Sequence, residues 1–489
     1  MSTLTALARA HAAHLGRAQP ITTVRHVHIA DRPLVCVPLA MAGEANAPLA
    51  ILVGQDRTNP KLIVVPQPRN RTRRFEFADS LALVVLNYLS TFLTSTGHVV
   101  EAPQVWVPSR AGIDFLRLFG RSTRLRRTTG PYAVSVSVPR LGTWLSFLAE
   151  RAGYPGSSML LAATDVLAQH WATGQSAYED SQLAAQFGWV EPPPGMTGPQ
   201  AARVAEDPIR CPPAGPATDP TFDREVLAPA IAEYDAAANR SGQARAITRL
   251  EGVLLGQLDP TWHLLWRVID RLRQLPAGEH VAARWTRDRE DYLRFHDRVA
   301  TGGLPQPKRD SAVAAAIGLN DLERRQAAYD AQRAFDDPLV MAEHRLSGDA
   351  FVGTVTTVLS ERRIGAGRGA VLRPLITVAT SDRVRLQPGE ANLHDQARPK
   401  QRAEIISMTA TTADELEITV QLAGGMGRGR TPAPRSVPAV GDRVCFSNLT
   451  DSFQPRGTFP AREDTPWTHG GPPVQPGPVN DTDAAEEWS

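Results

Sequence analysis

Leu416-Glu417-Ile418-Thr419-Val420-Gln421-Leu422 alternates apolar and polar residues through its whole length. Successive side chains of a strand point to opposite faces, so Leu416, Ile418, Val420 and Leu422 share one face, which reads as a core face. The same period recurs on both sides, at Val352–Thr356, Leu375–Ala379, Arg383–Leu386, Glu404–Met408 and Val440–Phe446. Five or six short strands over about 100 residues predict a small β-barrel at 347–460, like those that bind oligonucleotides. The insert Ala423–Arg430 (AGGMGRGR) interrupts the pattern and carries Arg428 and Arg430 in a Gly-rich turn.

Upstream of about Ser347 the period changes to that of a helix. In 222–346, Ile247, Leu250, Leu254, Leu255 and Leu258 fall at helical spacing, and so do Trp262, Leu265, Val268, Ile269 and Leu272. Asp259-Pro260 between them is a helix-start signal, a capping side chain followed by a residue whose fixed φ suits the first turn. Ala282–Ala300 and Asn320–Asp336 are highly charged, so 222–346 reads as a helical bundle or projecting stalk. Residues 192–221, with Pro192, Pro193, Pro194, Pro208, Pro212, Pro213 and Pro216, read as a linker. Residues 141–191 read as helices at Leu141–Ala152, Ser157–Thr173 and Tyr178–Phe187.

The first 140 residues mix both periods. Val24–Ile29, Leu34–Ala40, Leu49–Val53, Leu62–Val65, Gln104–Val107 and Tyr132–Val138 read as strands. Asp79–Leu93 reads as a buried helix, and a short helix begins near Arg110. The predicted fold is therefore a multidomain α+β chain: an α+β N-terminal domain (1–140), a central helical region and a C-terminal small β-barrel. Residues 461–489 hold one Arg against six acids among Pro and Gly, and read as a disordered acidic tail.

Charge is segregated along the chain. Residues 1–140 contain 17 Lys and Arg against 7 Asp and Glu, a net of +10, while the whole chain carries only +2. Of the 53 basic residues only Lys61, Lys308 and Lys400 are lysines. Because that bias runs throughout, the guanidinium group alone does not indicate phosphate binding; the segregation and clustering do. Arg69, Arg71, Arg73 and Arg74 fall in a predicted loop. Arg117, Arg121, Arg124, Arg126 and Arg127 follow an apolar helical stretch. Guanidinium forks match phosphate oxygens bidentately, which points to an anionic partner. The plainer reading is a solvated arginine face on an arginine-rich chain. The acidic tail is a candidate internal competitor for the same surface.

The run Val437–Leu449, VPAVGDRVCFSNL, resembles the closing strand of the small barrels appended to superfamily 1 helicases. The resemblance covers the barrel segment and implies a nucleic-acid-processing setting. It does not extend to a motor: no G-x-x-x-x-G-K-[ST] loop occurs, and none of the three lysines sits in one. Gly365-Ala366-Gly367-Arg368-Gly369 has neither the Lys nor the following hydroxyl. No G-x-S-x-G, H-E-x-x-H or paired C-x-x-C appears, nor a carboxylate pattern with an adjacent Lys that would hold a nuclease metal. His26-x-His28 is the best metal pattern, since alternate strand residues share a face, but nothing nearby completes a ligand set, so no metal and no cofactor is expected. Trp262, His263 and Trp266 read as helix packing. Cys36, Cys211 and Cys445, odd in number and far apart, suit a reducing cytoplasm, and Cys36 reads as a buried hydrophobe. Neither a signal-peptide core nor a span-length apolar run is present, so a cytoplasmic protein without membrane contact is expected.

The leading functional expectation is a non-catalytic protein that binds nucleic acid through the phosphate backbone, or an accessory subunit of a nucleic-acid-processing or defence complex beside a helicase or nuclease partner. Two other classes fit the same sequence: a protein–protein scaffold, whose arginine face would meet an acidic protein, and an enzyme such as a nuclease without a readable motif.

Overall fold

The computed structural model describes residues 2–44, 47–94, 99–212, 217–302, 312–365, 370–412, 415–427, 429, 431–452, 455 and 457–459. The chain is mixed α+β and forms two compact units. One comprises Ala8–Pro20 and Arg25–Leu322; the other comprises residues before Ala8, Ile21–Val24 and Glu323–Arg456. Among the described residues no helix is long and apolar enough to cross a membrane.

The larger unit is built on a five-stranded sheet. After helix α1 (Thr3–Leu15) come β1 (Leu34–Ala40), β2 (Pro48–Gly54) and β3 (Lys61–Val64), then α2 (Arg71–Ser90), β4 (Val105–Val107), α3 (Arg110–Thr123), α4 (Ser137–Arg151), β5 (Leu160–Ala162) and α5 (Ala163–His170). The strand order is β3-β2-β1-β4-β5. β1, β2 and β3 form an antiparallel meander, while β4 and β5 run parallel to β1, in register Leu34↔Val105 and Val105↔Leu160. All seven residues of β1 are buried, as its central place requires. Its side chains alternate between two cores. Leu34 and Cys36 pack with Phe77, Leu81, Ile113, Leu141 and Trp144 of α2, α3 and α4. Val35, Val37 and Leu39 pack with residues of α5 and of a long helix that follows. The sheet is therefore covered by helices on both faces. Cys36 lies in the first core, and burial pushes its thiol up to about 12, which suits a hydrophobe and not a nucleophile.

The chain continues through α6 (Leu183–Val190), α7 (Gly198–Ala205), α8 (Ala228–Ala236), α9 (Arg240–Arg273) and α10 (Val281–Ala300). The helix α7 lies inside the Pro-rich stretch, closed by a Thr197/Gln200 capping box. The long α9 does not project as a stalk. It lies on the sheet, with Leu250, Leu254, Leu258, Trp262, Leu265, Val268, Ile269 and Leu272 all fully buried in the second core.

Several expected elements differ. Asp259-Pro260 does not start a helix: α9 runs 34 residues with Pro260 inside it. An interior Pro costs about 3 kcal/mol, whereas each fully buried Leu or Trp of the stripe gains about 1.5–3 kcal/mol, so the continuous stripe prevails. Tyr132–Val138 is not a strand. Tyr132 and Val136 are exposed, and α4 begins at Ser137 with Pro139 in its first turn, where Pro fits a helix. Ser157–Thr173 is not one helix: Leu160–Ala162 pairs with β4 before α5 begins. The segment 24–29 is not a strand either. It makes one isolated bridge, from Arg25 to Ala277, and no ladder, and two of its N–H groups go to side chains: His26 donates to His170 Nε2 (3.2 Å) and His28 to Ser158 Oγ (3.0 Å). The helix expected at Asp79 starts eight residues earlier, at Arg71.

The second unit contains the end of α11 (Ala312–Asp336), α12 (Pro338–Ser347) and, besides a two-residue hairpin pair at Arg363–Ile364 and Val371–Leu372, the strands β6 (Ala350–Leu359), β7 (Leu375–Thr380), β8 (Leu393–Asp395), β9 (Arg398–Thr412), β10 (Glu415–Ala423) and β11 (Arg443–Ser447). The six strands β6 to β11 close a barrel in the order β7-β10-β9-β8-β11-β6. Ile418, Val420 and Leu422 of β10 are fully buried with Ile376, Val378, Ile405, Phe351 and Phe446. Gly353 in β6 has a packing reason: a Cβ there would stand 2.4 Å from the Ala379 carbonyl oxygen, beside the β6–β7 register shift. Residues 383–386 form no strand, although Leu386 is buried in the barrel core, and β8, which no alternation announced, supplies the sixth strand. Asp337, fully buried, caps α12 by accepting from Leu339 N (2.9 Å). Its other oxygen accepts from Thr23 N (2.6 Å) and Val24 N (3.3 Å), binding the N-terminal segment into this unit.

Candidate nucleic-acid interface

Three of the four residues Arg69, Arg71, Arg73 and Arg74 lie in a helix and not in a loop. Asn70 accepts from Arg73 N (3.2 Å) and starts α2, so Arg71, Arg73 and Arg74 occupy its first turn, which contains no acid. Backbone dipoles make that end of a helix positive, and each cation there costs about 0.3–1 kcal/mol relative to a neutral residue. Arg74 is buried. Arg73 pairs with Glu76 (2.7 Å) and approaches the Tyr234 ring (5.8 Å). Arg69, exposed just before the helix, pairs with Glu44.

The second cluster sits at the end of α3 and in the turn after it. Arg117 pairs with Asp114 one turn back, Arg121 is exposed, and Arg124 caps the helix by donating its N–H to the Gly120 carbonyl. The turn is held close to α4 by two glycines. A Cβ on Gly142 would lie 2.3 Å from Arg124 N, and one on Gly120 would lie 2.9 Å from Ser146 N. Arg126 donates from Nε to the Ser122 carbonyl (2.8 Å), and Val134 N donates to the Arg127 carbonyl (2.9 Å), which closes the loop between α3 and α4.

The structure brings the two clusters together on one aromatic ring. The Arg71 guanidinium lies 4.6 Å from the centre of Phe75, and that of Arg126 lies 5.4 Å from it. Arg71 also donates to the Tyr132 carbonyl (2.8 Å) and lies 5.8 Å from the Tyr132 ring. Arg71, Arg121 and Arg124 have no carboxylate partner among the described residues, whereas Arg69, Arg73 and Arg117 do. Phe75 and Tyr132 escape the sequence reading. Arg71 and Phe75 stand four apart, the spacing of one helix face, but that spacing means nothing while Arg71 is assigned to a loop. Arg428 and Arg430 lie outside the described residues.

Titratable groups also gather away from this surface. His26 and His28 do not share a ligand face. His170 takes the His26 amide on Nε2 and donates from Nδ1 to the Val166 carbonyl (2.6 Å), an arrangement that fits the neutral tautomer. His28 stacks on Trp285 (4.1 Å, 15°), and burial, helped by Arg25, pushes its pKa down to about 4. Asp288, one turn on in α10, accepts from Ser158 N (2.7 Å), and burial raises it to about 6. No group of three metal-binding side chains occurs among the described residues. A cavity of about 540 Å³ is lined by Met41, Pro68, Arg69, Asp223, Leu227 and Ile231.

In comparison with known proteins, no family model, no curated protein and no solved structure matches the chain.

Proposed function

We propose that this protein binds nucleic acid through its phosphate backbone, using the first turn of α2 and the end of α3, and serves as an accessory subunit beside a helicase or nuclease. The observation that supports this is the meeting of Arg71 and Arg126 on Phe75. Two clusters about 50 residues apart in sequence form one surface, at a helix end where cations are costly to the fold. A phosphate placed there offsets the charge and also suits the helix dipole. The carboxylate pairs at Arg69, Arg73 and Arg117 moderate the surface, while Arg71, Arg121 and Arg124 carry its uncompensated charge.

Equilibrium binding to labelled DNA and RNA across a salt series tests the proposal. Log affinity falls linearly with log salt, with a slope of about −0.7 to −0.9 for each phosphate neutralised. A flat dependence, or no binding at low salt, contradicts the proposal.

A further inference from the structure

We infer that the nucleic acid this surface takes is single-stranded, with Tyr132 as a stacking platform for an unpaired base; this rests on the binding function proposed above. The loop between α3 and α4 carries exposed apolar side chains immediately beside the arginines. Leu125 is 42% exposed, Tyr132 48% and Val136 63%. A duplex offers such a surface phosphates, sugars and base edges, but no free base face, because its bases are stacked on one another. A single strand presents bases and phosphates together, and surfaces that take it combine guanidinium groups with aromatic rings. Arg71 supplies both features at one point, since its guanidinium holds the Tyr132 carbonyl (2.8 Å) and stands over Phe75 (4.6 Å). The platform is built in advance of any ligand. The loop is closed by the Val134 N to Arg127 O bond, and its end is tied to α2 by the bond from Ser137 Oγ to Asp79. Stacking is indifferent to base identity and to the 2′-hydroxyl, so the ligand class is a single strand of either sugar.

The test uses the full chain and compares single-stranded DNA, single-stranded RNA and duplex DNA of the same sequence at one salt concentration by fluorescence anisotropy. The single strands are expected to bind about tenfold more tightly than the duplex. Tyr132→Ala is expected to remove about tenfold from single-strand affinity and to leave duplex affinity unchanged, while Tyr132→Phe retains it. Single-stranded DNA and single-stranded RNA are expected to bind with similar affinity. Equal affinity for single strand and duplex, equal loss on both from Tyr132→Ala, or loss with Tyr132→Phe overturns the single-strand assignment and leaves phosphate binding standing. Absence of binding to all three overturns both. Tyr132 is half exposed, so its variants are expected to fold, which circular dichroism verifies.

Discussion

Arg71 places a positive charge where α2 is already positive, and it gains from the fold a bond to the Tyr132 carbonyl and contacts with the Phe75 and Tyr132 rings. The unfavourable dipole term and these contacts are each of order 0.3–1 kcal/mol. Arg71→Gln should therefore leave stability within about 1 kcal/mol while weakening nucleic-acid binding severalfold, as urea melts and anisotropy on one preparation will show. A second residue-scale prediction concerns pH. Asp288, raised from 3.8 to about 6, holds its proton in the folded state after the unfolded chain has released it. That group's contribution to stability therefore falls as pH rises through this window. His28, lowered from 6.5 to about 4, stays neutral when the unfolded chain takes up a proton, so its contribution falls as pH drops from 6.5 toward 4. The two slopes oppose each other across their overlap. Asp288→Asn should expose the His28 slope, with stability rising steadily from about pH 4 to 6.5, measured as urea midpoints against pH.

At the scale of elements, the crossing of α3 and α4 fixes where the second arginine cluster lies. Gly142→Ala puts a Cβ against the Arg124 backbone, which cannot yield as a flexible side chain can. A loss of about 1–3 kcal/mol follows from such overpacking, together with weaker nucleic-acid binding because the Arg124–Arg127 turn must move. Ser146→Ala, on the same helix, should change neither much. Legibility at this scale followed burial. β10 was readable because one face is packed and the other wet, so the period of two is explicit in Leu416–Leu422. β1 and β2 were readable as apolar runs. Tyr132–Val138 shows the same alternation without a neighbouring strand, and periodicity carries no information about a missing partner. Pro260 misled for the converse reason: the stripe that holds α9 to the sheet draws on residues on both sides of it. β5 and β8, three residues each, are strands only because β4 and β9 lie beside them.

At the scale of the whole molecule, the chain returns on itself in ways no local pattern announces. Thr23 and Val24 donate to Asp337, 314 and 313 residues away, inside the barrel-containing unit. Asp337→Ala leaves three backbone N–H groups without an acceptor, and a loss of about 2–5 kcal/mol in that unit is expected, read by hydrogen exchange of barrel amides. The site was partly legible for the same reason. Both arginine clusters stood out in the sequence, but that they share Phe75 and flank Tyr132 depends on α2, α3 and the loop after it meeting in space. The central claim is that this shared surface grips phosphates. The most direct measurement is the salt dependence of single-stranded DNA binding by the full chain and by the variant Arg71→Gln/Arg121→Gln/Arg124→Gln. The account predicts a linear log–log dependence whose slope is shallower by about 2 in the variant, because each of the three guanidinium groups neutralises one phosphate. Identical slopes, with the variant as well folded as the parent, would contradict it.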